Sequence, residues 1–185
     1  YYDELNDEQK DILLNDIEKI DFDDIRMEPL DEGKGNIEPM GCMKLAEIKE
    51  KADHFRQIGL DCIRKGKAAA LLLAGGQGTR LGIEGPKGAF NIGITKDLYI
   101  FECLIGNLMK VVEEAGEWME LFIMTSVKND SETRSFLKEH DYFGYKEDRI
   151  HFFIQDMAPA TDFDGKILLE SKYHIVLSPN GNGGW

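Results

Sequence analysis

The sequence predicts an open α/β sheet that carries a phosphate-binding loop, and three observations lead there. A continuous apolar run, Ala68 to Ala74, stops abruptly at Gly75-Gly76-Gln77-Gly78. Apolar runs of strand length then alternate with amphipathic stretches of helix length, in the order strand, helix, strand, helix, strand. Two cations, Arg80 and Lys87, follow the glycines closely.

Taken in order, residues 5–20 place Leu5, Ile12, Leu13, Ile17 and Ile20 at helical spacing and predict an amphipathic helix. Residues 21–41 contain Pro29, Gly33, Gly35, Pro39 and Gly41 and read as a connecting loop. Met43 to Lys65 reads as a second helix, with Leu45, Ile48, Ala52, Phe55, Ile58 and Ile63 on one face. Arg64 and Lys65 suit its C-terminus and Gly66 ends it. Residues 1–66 are therefore expected to be a helical N-terminal region. Ala68 to Ala74 is too short for an ordinary helix and predicts a central parallel strand buried on both faces. Residues 75–88 form the glycine-rich loop, and Phe90 to Ile94 a short extended piece. Leu98 to Ala115 is a helix with Ile100, Leu104, Leu108 and Val111 inward and Gly116 as its stop. Leu121 to Thr125 is the second strand. Asp130 or Ser131 caps a helix that runs to about Glu139, and Ile150 to Ile154 is the third strand. Ile167 to Leu169 and Ile175 to Leu177 read as short strands, in the manner of a hairpin. The sequence finishes on Ser178-Pro179-Asn180-Gly181-Asn182-Gly183-Gly184-Trp185, a kind of loop that ordinarily connects elements. With so few parallel strands accounted for, the chain reads as the N-terminal part of a longer protein.

Composition removes several function classes. The net charge of −13 argues against a grip on a nucleic-acid backbone, which requires a basic face. A small anion can still bind where a few cations and backbone N–H groups focus positive potential. No apolar run reaches the ~18 residues of a membrane helix. Tyr1-Tyr2-Asp3-Glu4 has neither the basic nor the apolar part of a signal peptide. Cys42, Cys62 and Cys103 are scattered and form no CxxC, so they read as free thiols of a reducing, cytoplasmic compartment. The acids of Asp21 to Asp24 and Glu28 to Glu32 read as a solvated helix end and loop. His54, His140, His151 and His174 share no ligand spacing, and Trp118 and Phe152-Phe153 read as core. Asp162 and Asp164, beside Gly165, read as turn residues.

Three nucleotide-loop patterns compete for residues 75–88. The GxxxxGK[ST] pattern fails, because Pro86 precedes Lys87 and Gly88 occupies the Ser/Thr position. The GxGxxG pattern fails as well, since Leu81 stands where its third glycine belongs. Gly75-Gly76-Gln77-Gly78-Thr79-Arg80-Leu81-Gly82 followed by Pro86-Lys87-Gly88 fits the third pattern, GGxGTRLG then PKG.

On these residues the chain resembles the UDP-sugar pyrophosphorylase family (UDPGP type 1), and within it the UDP-N-acetylglucosamine branch. Phe153-Ile154-Gln155 with Pro159, then Phe163-Asp164-Gly165-Lys166-Ile167, resembles that branch's nucleobase-contacting segment. Ser178 to Gly184 resembles its PDGNGG loop. The similarity runs over residues 43–185. Asn180 departs from the usual Asp, Trp185 from the usual Leu or Ile, and Ala89-Phe90-Asn91-Ile92-Gly93 matches in part.

The resemblance implies a Rossmann-like, GT-A-like nucleotidyltransferase: a mixed sheet flanked by helices, incomplete in this chain. Residues 67–185 would be the nucleotide-binding part of the catalytic domain. The implied reaction joins UTP and a sugar 1-phosphate into a UDP-sugar and pyrophosphate. The sugar phosphate attacks the α-phosphorus in line, and no general base is needed because that phosphate is already a nucleophile. By resemblance, Leu73, Ala74, Gly75 and Gly76 contact the nucleotide through their backbone. Arg80 holds the departing phosphates, Lys87 stabilises the α-phosphate, Gln155 and Gly181 contact uracil, and Asn182 contacts the sugar. Asn182 stands where UDP-glucose enzymes place His, which favours N-acetylglucosamine 1-phosphate. Glucose 1-phosphate or another hexose 1-phosphate is the alternative, and a non-catalytic nucleotide-binding fragment is the second. The cofactor expected is Mg²⁺ or Mn²⁺, with its aspartate ligand beyond Trp185.

Overall fold

The computed structural model of the chain describes residues 1–22, 36, 38–76, 81–82 and 85–179. Its elements are α1 (Asp7–Glu18), α2 (Leu45–Glu50), α3 (Ala52–Arg64), β1 (Ala69–Leu73), α4 (Ile100–Ala115), β2 (Glu120–Thr125), α5 (Asp130–Glu139), β3 (Ile150–Ile154), β4 (Met157–Pro159), β5 (Leu169–Ser171), β6 (His174–Ile175) and β7 (Leu177–Pro179). By contacts the chain divides into two units, residues 41–155 and residues 1–40 with 156–185. The stretch expected as one helical region, residues 1–66, is thus divided between the units.

In the first unit, β1, β2 and β3 form a parallel sheet in that order, with Leu72 opposite Ile123 and Ile123 opposite Phe152. Helices α4 and α5 are the crossovers. The core joins Phe101, Ile105 and Val112 of α4 to Leu121 and Ile123 of β2, Leu137 of α5, and Tyr145. Ile123 and Leu137 are fully buried, and each such side chain contributes ~1.5–3 kcal/mol by leaving water. Tyr145 keeps its hydroxyl satisfied by donating to the Met119 carbonyl at 2.8 Å. A second cluster packs Leu60 and Ile63 of α3 against Ala115 and Met119.

Three expectations are corrected here. The inner face of α4 is Phe101, Ile105, Val112 and Ala115; of the residues expected there Leu108 packs against the core, but Leu104 and Val111 are 44% and 40% exposed. The apolar face of the helix is broad, so periodicity did not select which part of it packs inward. The helix expected over Met43 to Lys65 is broken at Lys51 (φ −105°, ψ 15°) into α2 and α3. The first strand is buried on one face only. Ala70 and Leu72 lie against the core, but Leu71, Leu73 and Phe122, on the other face by register, are 40%, 44% and 38% exposed.

The C-terminal end of α4 is set as the sequence suggests, and its start lies two residues later than expected, at Ile100. Tyr99 N–H donates to Glu102, and Gly116 closes the helix in the left-handed region at φ +69°. Not foreseen is the left-handed turn Asp141, Tyr142, Phe143 (φ 48°, 49°, 52°). It is held by the Tyr142 hydroxyl donating to Glu147 and by Phe143 packing near Phe136 and His140.

In the other unit, α1 starts on a capping box formed by Asn6 and Gln9. Glu4 pairs with Lys172 and Asp16 with His174. Strand β5 pairs antiparallel with β6, the hairpin expected near these residues. Strand β4, which was not expected, pairs antiparallel with β7. The mixed sheet is thus, among the described residues, a parallel three-stranded sheet and two separate antiparallel pairs. Asp162 is a turn residue as read: its carboxylate accepts from the N–H groups of Asp164 and Lys166.

Candidate nucleotide site

Parallel strands deliver their C-terminal ends to one edge of a sheet, and here β1 and β3 flank β2 at that edge. Ala74 N–H donates to Met124 at 2.7 Å, and Gln155 N–H donates to Thr125 at 2.8 Å. Both chains therefore continue alongside β2 past the ends of their strands, and this brings Gly75 against Gln155. A Cβ at Gly75 would stand 2.7 Å from Gln155 Oε1 and 2.8 Å from its Cδ and Nε2. A side chain at 75 would displace the Gln155 amide, so glycine leaves that amide its place. Gln155 is 6% exposed, and among the described residues its side chain has no hydrogen-bond partner. It is a nearly buried amide with its donors and acceptor unspent. The N–H groups of Gly75 and Gly76 also have no partner among the described residues.

Lys87 arrives from the other side of the loop. Pro86 leads into a 3-10 turn, Lys87–Ala89, whose backbone sits on α4: a Cβ at Gly88 would lie 2.2–2.4 Å from the Phe101 ring. Lys87 N–H donates to the Gly76 carbonyl at 3.4 Å, which ties the two ends of the loop together. The Lys87 side chain is exposed and forms no ion pair among the described residues. It lines, with Leu73, Ala74, Gly76 and Gly88, a cavity of about 330 Å³.

Two roles at this edge, those of Asn129 and Asp130, escaped the sequence reading. Asn129 is fully buried and donates from its amide to the carbonyls of Ala74 (2.9 Å) and Gly76 (3.3 Å). It holds the N-cap position expected of Asp130 or Ser131, yet its side chain does not cap α5. An Asn before a helix signals a cap, and nothing local in the sequence gives its partners. Asp130 accepts from Thr125 Oγ1 and from Arg134, and Arg134 stacks on the Phe152 ring. Burial pushes the Asp130 carboxyl upward, but the Arg134 and Thr125 hydrogen bonds outweigh it and hold the group below its ordinary value. A lowered carboxyl contributes stability that is full above the unfolded value of ~3.9 and is lost as pH falls through the folded one. Asp130→Asn is therefore expected to lower Tm near neutrality and to narrow its deficit below about pH 4, as thermal melts across pH would read. A deficit constant with pH would contradict this.

The structure thus brings together Leu73, Ala74, Gly75, Gly76, Lys87 and Gln155. Arg80, Gly181 and Asn182 lie outside the described residues. At the opposite end of the sheet, Glu120 pairs with His151 and Arg149, which together hold its carboxyl below the usual range. Among the described residues no group of three or more His, Cys, Asp or Glu could hold a metal ion. The cysteines are free thiols, and among the described residues no helix is long and apolar enough to cross a membrane.

A glycine loop at the C-terminal edge of a parallel sheet is the arrangement of a nucleotide-binding α/β protein. The sequence profile of the family described as UTP–glucose-1-phosphate uridylyltransferase matches residues 9–185, and the chain belongs to that family. It is 35% identical to UDP-N-acetylglucosamine diphosphorylase 2 of Arabidopsis thaliana, over 99% of this chain and 41% of that protein. It is 37% identical to a probable UDP-N-acetylglucosamine pyrophosphorylase of Dictyostelium discoideum, over 100% of this chain and 42% of that one. The chain thus spans about two fifths of the length of these relatives. Its fold matches the crystal structure of the Trypanosoma brucei uridine diphosphate N-acetylglucosamine pyrophosphorylase in complex with inhibitor. The TM-score is 0.70 at 29% identity, covering 94% of this chain and 34% of that one.

Proposed function

We propose that this chain is the nucleotide-binding part of an enzyme that makes UDP-N-acetylglucosamine and pyrophosphate from UTP and N-acetylglucosamine 1-phosphate. The observation that carries the reading is the meeting of Gly75 and Gln155 at the sheet edge, with Lys87, which forms no ion pair among the described residues, tied by its N–H to the neighbouring Gly76 carbonyl. In this reading the Gln155 amide reads the donor and acceptor edge of uracil, together with Gly181. The backbone of Leu73 to Gly76 passes along the nucleotide, and the N–H groups of Gly75 and Gly76, without a partner among the described residues, suit an anionic partner. Arg80 holds the β- and γ-phosphates. Lys87 neutralises the charge that grows on the α-phosphate as the sugar phosphate attacks and pyrophosphate departs in line. Asn182 faces the sugar.

A divalent cation, Mg²⁺ or Mn²⁺, would supply positive charge to the phosphates in this chemistry. The described residues do not make a site for it, so none is assigned to it. The free thiols and the acidic charge support a cytoplasmic enzyme of small-molecule substrates with no nucleic-acid or membrane partner.

The family's description names glucose 1-phosphate, which keeps that sugar as the second reading. Pyrophosphate release from UTP with each sugar phosphate separates the two. The base assignment has its own test. Gln155→Ala is expected to reduce the preference for UTP over CTP by about tenfold, the scale of one or two hydrogen bonds to a buried edge. Calorimetric Kd values for the two nucleotides check it, and an unchanged ratio removes Gln155 from base reading.

A further inference from the structure

We propose that Asn129 is a positioning residue: it sets the orientation of the first peptides of the glycine loop and, through one shared carbonyl, the position of Lys87. The proposal rests on the nucleotide-site reading above. Every polar valence of the Asn129 side chain is spent. Its Nδ2 donates to the carbonyls of Ala74 at 2.9 Å and Gly76 at 3.3 Å. Its Oδ1 accepts from Ser126 N–H at 2.8 Å and from Ser126 Oγ at 2.9 Å. These partners also fix which way the amide points. The turned amide would set an oxygen against two carbonyls and a nitrogen against an N–H.

Two consequences follow for the loop. The carbonyls of Ala74 and Gly76 are drawn inward to Asn129, so their negative ends are taken up by the protein. The N–H groups of Gly75 and Gly76 have no such partner among the described residues. Carbonyls bound and N–H groups free is the polarity that an anion-binding backbone requires. The Gly76 carbonyl also accepts from Lys87 N–H at 3.4 Å, so Asn129 and the Lys87 peptide share one anchor. The same side chain that orients the loop thereby registers the cation against it. Asn129 stands at the N-cap of α5 but gives that helix no side-chain bond. Its buried amide is directed to the loop in place of the usual capping role.

The chemistry requires donors at this position. Asn129→Asp keeps the shape, supplies none when ionised and sets negative charge against two carbonyls. The test measures the Kd of UTP and of ATP by calorimetry on the full-length protein, with Tm alongside. Asn129→Asp and Asn129→Ala should each weaken triphosphate binding by about tenfold or more. The control is Leu137→Ala, a fully buried side chain of α5 with no part in the site, which should lower Tm with little change in Kd. Asn129 variants that weaken binding no more than Leu137→Ala, at equal loss of Tm, overturn the proposal. If neither Asn129 variant folds, Ser126→Ala decides, because it removes only the hydroxyl donor to Oδ1. A weakening of about two- to threefold supports the proposal and no change overturns it. A wild type that binds triphosphate without pyrophosphate release refutes uridylyl transfer and leaves the Asn129 comparison intact. A wild type that binds neither triphosphate overturns both.

Discussion

Lys87→Ala is expected to lower kcat/KM for UDP-sugar synthesis by ~10²-fold or more, the scale of removing one preorganised charge from a developing oxyanion. The argument is electrostatic. The reacting phosphorus gathers negative charge as the new bond forms, and a cation already in place costs nothing to reorganise at that moment. Lys87 is suited to this because no carboxylate neutralises it among the described residues, and its turn is held at both ends. Its N–H bonds the Gly76 carbonyl, and Gly88 lies against Phe101. An exposed lysine with no protein partner contributes little to the fold, so Tm should change by no more than the equivalent of about 0.5 kcal/mol. Lys87→Arg should recover part of the rate, since it restores charge without the compact geometry of an ammonium. Steady-state pyrophosphate release on the full-length protein measures all three. Unchanged kcat/KM in the alanine variant would remove Lys87 from the chemistry.

Gly88→Ala is expected to damage stability and turnover together. An added Cβ would lie 2.2–2.4 Å from carbons of the Phe101 ring, and Phe101 is 1% exposed in the centre of the core. The ring has nowhere to swing, so the strain falls on the turn that carries Lys87. Overpacking of this kind costs about 1–3 kcal/mol, a fall in Tm of roughly 3–10 °C for a chain of this size. Phe101→Leu made in the Gly88→Ala background should recover part of the loss, because the smaller side chain vacates the contested volume. A double-mutant cycle over these two positions therefore shows favourable coupling. Additive effects would mean that the close approach of Gly88 to Phe101 does not constrain the turn.

The strands were legible because they rest on composition over short spans. Short apolar runs leave few alternatives for Ala69–Leu73, which ends at Gly75-Gly76, and for Glu120–Thr125 and Ile150–Ile154. The helix faces were less so. Helix α4 has a broad apolar face, and the choice of Phe101 over Leu104 as its inner anchor depends on Gly88, which has no side chain to pattern. Strand β4, Met157–Pro159, is too short and too proline-marked to read as a strand, and it exists through its partner β7. In the site, Gly75, Lys87 and Gln155 were each legible from motif resemblance. Their meeting is a product of topology, because β1 and β3 are neighbours of β2 and not of each other. Asn129 was invisible for the same reason. Its role lies in two carbonyls far away in sequence, and a lone asparagine before a helix announces only a cap.

The central claim is that the edge formed by Gly75, Gln155 and Lys87 serves uridylyl transfer to an N-acetylated sugar phosphate. Pyrophosphate release by the full-length protein, with Mg²⁺, UTP and a panel of sugar 1-phosphates, tests it most directly. The account predicts release that requires UTP and is fastest with N-acetylglucosamine 1-phosphate. No release from UTP with any sugar 1-phosphate, from protein that binds the nucleotide, would contradict it.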